Sequence, residues 1–195
     1  MQNIVILYYS KTGSTKKMAE KIASGVESVG LKAKLRTVPN ISANCEKSED
    51  NIPDQGIIYV SKNDIRNCSG IIIGSPSYFG NIASPLKYFI DTTSDLWIEG
   101  ALTDKPAAVF TSSSTMHGGQ ESTILSMMLP LIHHGAIIVG LPYSSTILQN
   151  TITGGSPYGA SHYNGRDSNY NLSKDEILLA KLLGKRVALF VKKIN

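Results

Sequence analysis

The segment Ile4-Val5-Ile6-Leu7-Tyr8-Tyr9-Ser10-Lys11-Thr12-Gly13-Ser14-Thr15 passes from an apolar run straight into a hydroxyl-rich loop. A nearly unbroken apolar run reads as a strand buried on both faces, as parallel strands are. A helical pattern follows at once, with Met18, Ile22, Val26 and Val29 on one face and Lys16, Lys17, Glu20 and Lys21 mostly off it. The first amides of a helix lack intrahelical partners and point outward, so strand, tight loop and helix start together make an anion site. Ser10, Thr12 and Ser14 or Thr15 can add hydroxyls to those amides.

The loop chemistry narrows the anion. A Walker loop needs a glycine-rich run ending in Gly-Lys-Ser/Thr, and a dinucleotide fingerprint needs three spaced glycines. Neither is present, and one glycine among hydroxyls suits the single terminal phosphate of FMN. Ser and Thr are also common helix N-caps, so the loop alone leaves a plainly capped helix open.

Beyond this segment, strands and helices alternate, which is the pattern of an α/β protein with a doubly wound parallel sheet covered on both faces. Leu31–Arg36 alternates strictly and reads as a second strand nearer an edge. Gly70–Ser75, Pro106–Thr111 and Ala136–Gly140 read as three more, making five. Helical stretches fall at Pro85–Leu96, Gln120–His133 and Lys174–Lys193, with Pro130 expected to kink the second or end it early. Two segments do not fit the alternation and read as insertions in one domain spanning 1–195. Asn40–Lys62 is polar and carries Pro53 and Gly56. Gln149–Asn171, rich in Gly, Ser, Tyr and Asn, is long for a structureless loop, and such loops are either binding lids or surface excursions. Its Tyr158, Tyr163, Tyr170 and His162 are candidates to reach a site or a neighbouring subunit.

Open parallel sheets bind ligands beyond the carboxyl ends of their strands, at the switch point of strand order. The loops after strands one, three and four should converge there. The second of these is Ser75-Pro76-Ser77-Tyr78-Phe79-Gly80-Asn81, and the third runs from Ser112 through Ser113, Ser114, Thr115, Met116, His117, Gly118 and Gly119 to Glu121. Small polar residues and glycines suit a neutral heteroaromatic ring gripped by backbone hydrogen bonds.

Composition excludes other classes. The 195 residues contain no apolar run near the roughly 18 needed to span a bilayer. Strand one begins after three residues, leaving no room for a secretory signal. Cys45 and Cys68 form neither a CxxC pair nor a metal cluster, so they read as reduced thiols of a cytoplasmic protein. Two cysteines are too few for an iron–sulfur cluster. The net charge of +4 permits weak attraction to anions such as NAD(P)H, but the basic residues are scattered and no nucleic-acid recognition motif is present.

Taken in order, several segments resemble the WrbA-type NAD(P)H:quinone oxidoreductases, flavodoxin-like FMN proteins. They are Leu7-Tyr8-Tyr9-Ser10, Gly74–Asn81, Leu96-Trp97 with Gly100-Ala101-Leu102, Gly118–Glu121, His133-His134-Gly135 and Gly154–Ala160. The resemblance runs over nearly the whole length and implies strand order 2-1-3-4-5. It implies that Ser10, Lys11, Thr12, Gly13, Ser14 and Thr15 hold the FMN phosphate. Ser77, Tyr78 and Phe79, with Gly80 and Asn81, would meet the ribityl chain and ring, and Ser113 to Gly118 would close around the ring. Trp97 would line the substrate pocket, and His133 would face the flavin across it as the catalytic group. A lone Trp also serves as a core or interface anchor, and a histidine late in a helix also caps carbonyls; His134 fits that second role better. The resemblance further implies NADH or NADPH as donor, a quinone as acceptor, and a homotetramer with pockets completed by neighbours. Thr12 stands where the family usually has an aromatic residue, Tyr78 where it has a basic one, and Thr115-Met116-His117 replaces a stretch richer in glycine and threonine. Nicotinamide contacts and substrate preference hang on these departures. Two neighbouring readings are a flavodoxin carrying single electrons, disfavoured by the basic charge, and an FMN reductase acting on azo or nitro compounds.

Overall fold

The computed structural model describes residues 2–42, 56–165 and 171–194; Cys45, Pro53 and Tyr170 lie outside the described residues. The sheet runs β2 (Lys32–Thr37), β1 (Asn3–Tyr8), β3 (Gly70–Pro76), β4 (Pro106–Ser113) and β5 (Ile137–Ile138), all parallel, the order 2-1-3-4-5 expected. Every residue of β1 is buried, and successive side chains serve opposite faces. Ile4, Ile6 and Tyr8 join Ile72 and Phe110 beneath α1 (Ser14–Glu27) and α7 (Lys174–Ile194). Val5 and Leu7 join Ile71, Ile73 and Val109 beneath α3 (Ser84–Asp91), α4 (Ser94–Ile98) and α5 (Gln120–His133). The short α2 (Lys62–Arg66) adds Ile65 to that second face, and α6 (Thr146–Asn150) adds Leu148 to the first. β2, half-buried, is the edge its alternation indicates.

Backbone contacts fix the depth of the layers. A Cβ on Gly184 of α7 would meet the Ile22 carbonyl oxygen at 2.1 Å, and one on Gly25 of α1 would meet that of Lys181 at 2.1 Å. The two helices therefore cross at two reciprocal glycines. On β3, the Phe110 ring lies over Gly74, where a Cβ would approach Cζ to 2.0 Å.

Three expectations need correction. Gln149–Asn171 is not structureless: Ala160–Tyr163 forms β6, parallel to β4 with Phe110 opposite Ala160 and Ser113 opposite Tyr163. β5 pairs with Pro106 and Ala107 along the same edge, so β5 and β6 share one side of β4 and residues 139–159 leave the sheet between them. Pro130 does not end α5 early; the helix runs on to His133, because a proline one turn from the end removes a single donor. The helix expected over Pro85–Leu96 divides at Thr92-Thr93, whose hydroxyls donate to the Phe89 (2.7 Å) and Ile90 (2.6 Å) carbonyls and compete with the helical pattern.

β6 escapes a hydrophobicity reading because it carries buried Ser161 and His162. Glu176, in the first turn of α7, makes this possible. Its carboxylate accepts from the backbone amides of Gly154 (3.0 Å), Tyr163 (2.9 Å) and Ser173 (2.7 Å) and from His162 Nδ1 (3.0 Å). Ser173 Oγ accepts the Glu176 amide at 3.1 Å, closing a capping box. Burial alone pushes this carboxyl up, but the hydrogen bonds from His162, Tyr163 and Ser173 outweigh it and bring its pKa from 4.5 to about 2. Because the folded value lies below the unfolded one, this stabilisation is complete above about pH 4.5 and is lost as pH falls toward 2. Glu176→Gln should lower stability at pH 7 by roughly 3 kcal/mol, the order expected when a buried pair is broken. In urea titrations the gap between wild type and variant should shrink as pH drops from 5 to 3; a gap independent of pH would show that the charge of Glu176 does not matter.

Candidate functional site

The candidate phosphate loop after β1, residues 10–15, is built around Ser10. Its Oγ accepts from the Gly13 amide at 3.1 Å and the Lys16 amide at 3.3 Å, leaving its own hydroxyl hydrogen free to donate. The first intrahelical bond of α1 is Lys17 N to Gly13 O, so the amides of Ser14 and Thr15 precede it and have no partner within the helix. Gly13 caps the helix at φ 92° with no side-chain cap. Lys11 and Thr12 are exposed at the tip, while Ser14 and Thr15 are buried.

The second loop is a tight turn in which Tyr78 and Asn81 exchange both backbone bonds at 3.1 Å. Its central residues, Phe79 (φ 53°) and Gly80 (φ 72°), are both left-handed, as this turn type requires. For Phe79 that conformation is strained, and its ring is fully exposed at the tip. Tyr9 lies beside Tyr78: burial raises the pKa of both phenols, and Tyr78 raises that of Tyr9 further. Tyr9 also donates to Asn40 Oδ1 at 2.9 Å.

Hydroxyls tie the three loops together. Thr15 Oγ1 and Ser112 Oγ lie 2.9 Å apart, joining the phosphate loop to the end of β4. Ser77 Oγ donates to the Gly118 carbonyl at 2.6 Å and accepts from Thr123 Oγ1 at 2.9 Å, while its amide donates to Ser112 O at 2.8 Å. Gly119 packs so closely on Gly80 that a Cβ would meet the Gly80 Cα at 2.6 Å. In the third loop, Ser113 Oγ donates to Thr115 O at 2.8 Å, and Ser114, Thr115, Met116 and His117 are exposed. On its far side a polar cleft of about 400 Å³ separates His117 and Gln120 from Thr153, Ser156 and Ser161. Sequence reading placed Tyr9 and Ser112 in these segments without giving them a role and did not single out Thr123; the structure shows Ser112 and Thr123 bonding across the loops.

Trp97 and His133 are not brought to these loops within one chain. The third loop enters α5 at Gln120, and the helix carries His133 about 20 Å away at 1.5 Å per residue. Trp97 shares that opposite end: Thr93, the cap of α4, bonds His134 Nε2 at 3.1 Å, and the Asp104 amide donates to Gly135 O at 2.9 Å. Both Trp97 and His133 are exposed. His134 does cap α5, but burial first, then His133 beside it, lowers its pKa, so it acts as a neutral partner of Thr93 rather than a cation on the helix dipole. His162 faces neither cleft nor neighbour; it is buried against Glu176. Tyr158 is exposed and Tyr163 is half-buried in β6.

A Cβ built on Gly13 meets nothing within 4 Å, so the need for glycine there is conformational rather than spatial. Gly13→Ala should therefore fold normally and weaken FMN binding about tenfold, the effect of roughly 1–2 kcal/mol for a left-handed non-glycine residue. Fluorescence titration of FMN checks this; unchanged affinity would mean the loop does not need its left-handed turn to hold the phosphate.

Comparisons with known proteins bear on the family and the fold. The family model described as NADPH-dependent FMN reductase matches residues 3–147. A protein of Syntrophobacter fumaroxidans named NAD(P)H dehydrogenase (quinone) is 41% identical over 200 residues, covering 98% of each chain. One of the same name from Sinorhizobium fredii is 39% identical over 197 residues, covering 100% of this chain and 99% of its own. Among solved structures, the flavodoxin, WrbA-like protein from Agrobacterium tumefaciens superposes with a TM-score of 0.71 at 24% identity, covering 100% of both chains. A flavodoxin from the domain Archaea superposes at 0.63 with 16% identity, covering 98% of this chain and 99% of its own. These two likenesses speak for the flavodoxin-like fold. With its glycine-capped hydroxyl loop at the switch point, the chain belongs to the NADPH-dependent FMN reductase family, alongside the relatives named NAD(P)H dehydrogenase (quinone).

Proposed function

We propose that this protein, one FMN-binding domain across residues 1–195, passes two electrons from NADH or NADPH to quinones through a single shared slot. The observation that carries the reading is the convergence of three hydroxyl-tied loops at the carboxyl edge, where β1 and β3 part to opposite connections. Their donor set of amides, hydroxyls and one left-handed glycine fits a phosphate and a neutral polar ring. Bound FMN would supply the two-electron relay between the nicotinamide and the quinone. Ser10, Lys11, Thr12, Gly13, Ser14 and Thr15 hold its phosphate. Ser77 to Asn81 and Ser113 to Gly118 hold the ribityl chain and ring, with His117 adding a donor beside the ring.

The contribution of the chain is positioning: rings held parallel, water kept out, one face open to each substrate in turn. The bonds among Ser77, Gly118, Thr123 and Ser112 set the loops before any ligand arrives. His133, donating to the quinone oxygen as negative charge develops, and Trp97, lining the slot, act from a neighbouring subunit, since each chain holds them at the end opposite its own loops. Exposed apolar residues on the face that carries them support a homotetramer: Tyr88, Trp97, Ile98, Leu125, Leu129 and Ile132. A cytoplasmic location agrees with the free, buried Cys68 and with the absence, among the described residues, of any helix long and apolar enough to cross a membrane.

Steady-state kinetics should be ping-pong, giving parallel double-reciprocal lines, because one slot cannot hold both substrates. His133→Ala should cut quinone turnover about tenfold or more, the loss expected for a hydrogen bond to developing charge, and Trp97→Ala should cut it by loosening the slot, both with FMN retained. Light scattering should show active protein only as an oligomer. Intersecting lines, equal loss of FMN and turnover, or a fully active monomer at every dilution would each contradict the shared-slot account.

A further inference from the structure

β6 ends in buried polar groups that the family reading does not use. His162 is fully buried with Nδ1 on Glu176, and its Nε2 has no hydrogen-bond partner among the described residues. Asn164, 5% exposed, continues the strand through its amide, which donates to Ser113 O at 2.8 Å, and its side-chain Oδ1 is likewise buried without a partner. Buried polar atoms are rarely left unpaired, because each gives up its hydration with nothing in return. Of the two, Asn164 stands nearer the open end of the strand, where a ligand can supply the missing partner.

Register shows where that partner lies. His162 stands opposite Ser112, and paired residues of parallel strands share a face. Ser112 Oγ on that face meets Thr15 Oγ1, on the first turn of α1. Asn164, two positions further toward the carboxyl edge, is on the same face and nearer the mouth of the phosphate loop. Glu176 holds this arrangement, since it binds both His162 and the Tyr163 amide.

We propose that Asn164 is a phosphate-site residue, its carboxamide donating from β6 to the FMN phosphate held by Ser10–Thr15, with the His162–Glu176 pair positioning it. This rests on the FMN reading given above. A half-turn of the carboxamide exchanges Oδ1 for Nδ2, presenting the donor that an anion needs. His162 and Glu176 act through the strand rather than on the cofactor.

The test compares FMN with riboflavin, which has the same ring and ribityl chain but no phosphate. Affinities come from quenching of flavin fluorescence, and circular dichroism reports the fold. Asn164→Ala should weaken FMN about tenfold, the loss of one hydrogen bond to a charged group. Asn164→Asp, nearly isosteric but placing a like charge beside the phosphate, should weaken FMN about a hundredfold. Riboflavin affinity should stay at the wild-type value in both variants. Unchanged FMN affinity in Asn164→Asp, or equal loss of both flavins, would overturn the proposal. A wild-type protein that binds no FMN would instead contradict the flavoprotein reading on which it rests.

Discussion

The carboxylate of Glu176 is the interaction on which the carboxyl half of the sheet depends. Four donors from three places in the chain converge on it: Gly154 within the excursion, His162 and Tyr163 in β6, and Ser173 at the cap of α7. Without it, β6 would have little reason to lie against β4, because Ala160-Ser161-His162-Tyr163 offers few apolar atoms to bury. With it, β4 is paired to β6 as far as Ser113, beyond the Ser112 at which its pairing with β3 stops, and the loop that follows starts from a fixed point: the Asn164 amide holds Ser113 O.

From that point the site is assembled by short hydroxyl contacts rather than by charge. Thr15 with Ser112, Ser77 with Gly118 and Thr123 with Ser77 link three loops that are far apart in sequence. The close approach of Gly119 to Gly80 lets two of the loops touch backbone to backbone. Such a scaffold suits chemistry carried by a bound cofactor, where the protein gains most by holding geometry. The cost is visible in Phe79, kept left-handed and exposed at the turn.

The two-faced core was legible in the sequence because the unbroken apolar run through Ile4–Tyr9 and the helical periods of α1, α5 and α7 are each local patterns. The types of loop residue were legible for the same reason, since hydroxyls and glycines cluster after each strand. Their pairings were not: nothing near Thr15 in the chain indicates Ser112. β6 was hidden because its stability is tertiary; Ser173–Glu176 reads as a capping box, but the second use of Glu176 as partner to a buried strand leaves no local trace. His133 and Trp97 were identified by resemblance, whereas the length of α5, itself readable in the sequence, already separates His133 from the third loop of its own chain.

The central claim is that these three loops hold a flavin that cycles between a nicotinamide donor and a quinone. Its most direct measurement is the visible spectrum of the FMN-loaded protein under anaerobic conditions, followed through one addition of NADH and then one of benzoquinone. The account predicts a flavin spectrum that bleaches fully with NADH and returns fully with the quinone. A spectrum that NADH leaves unchanged, or a bleached form that the quinone does not restore, would contradict it.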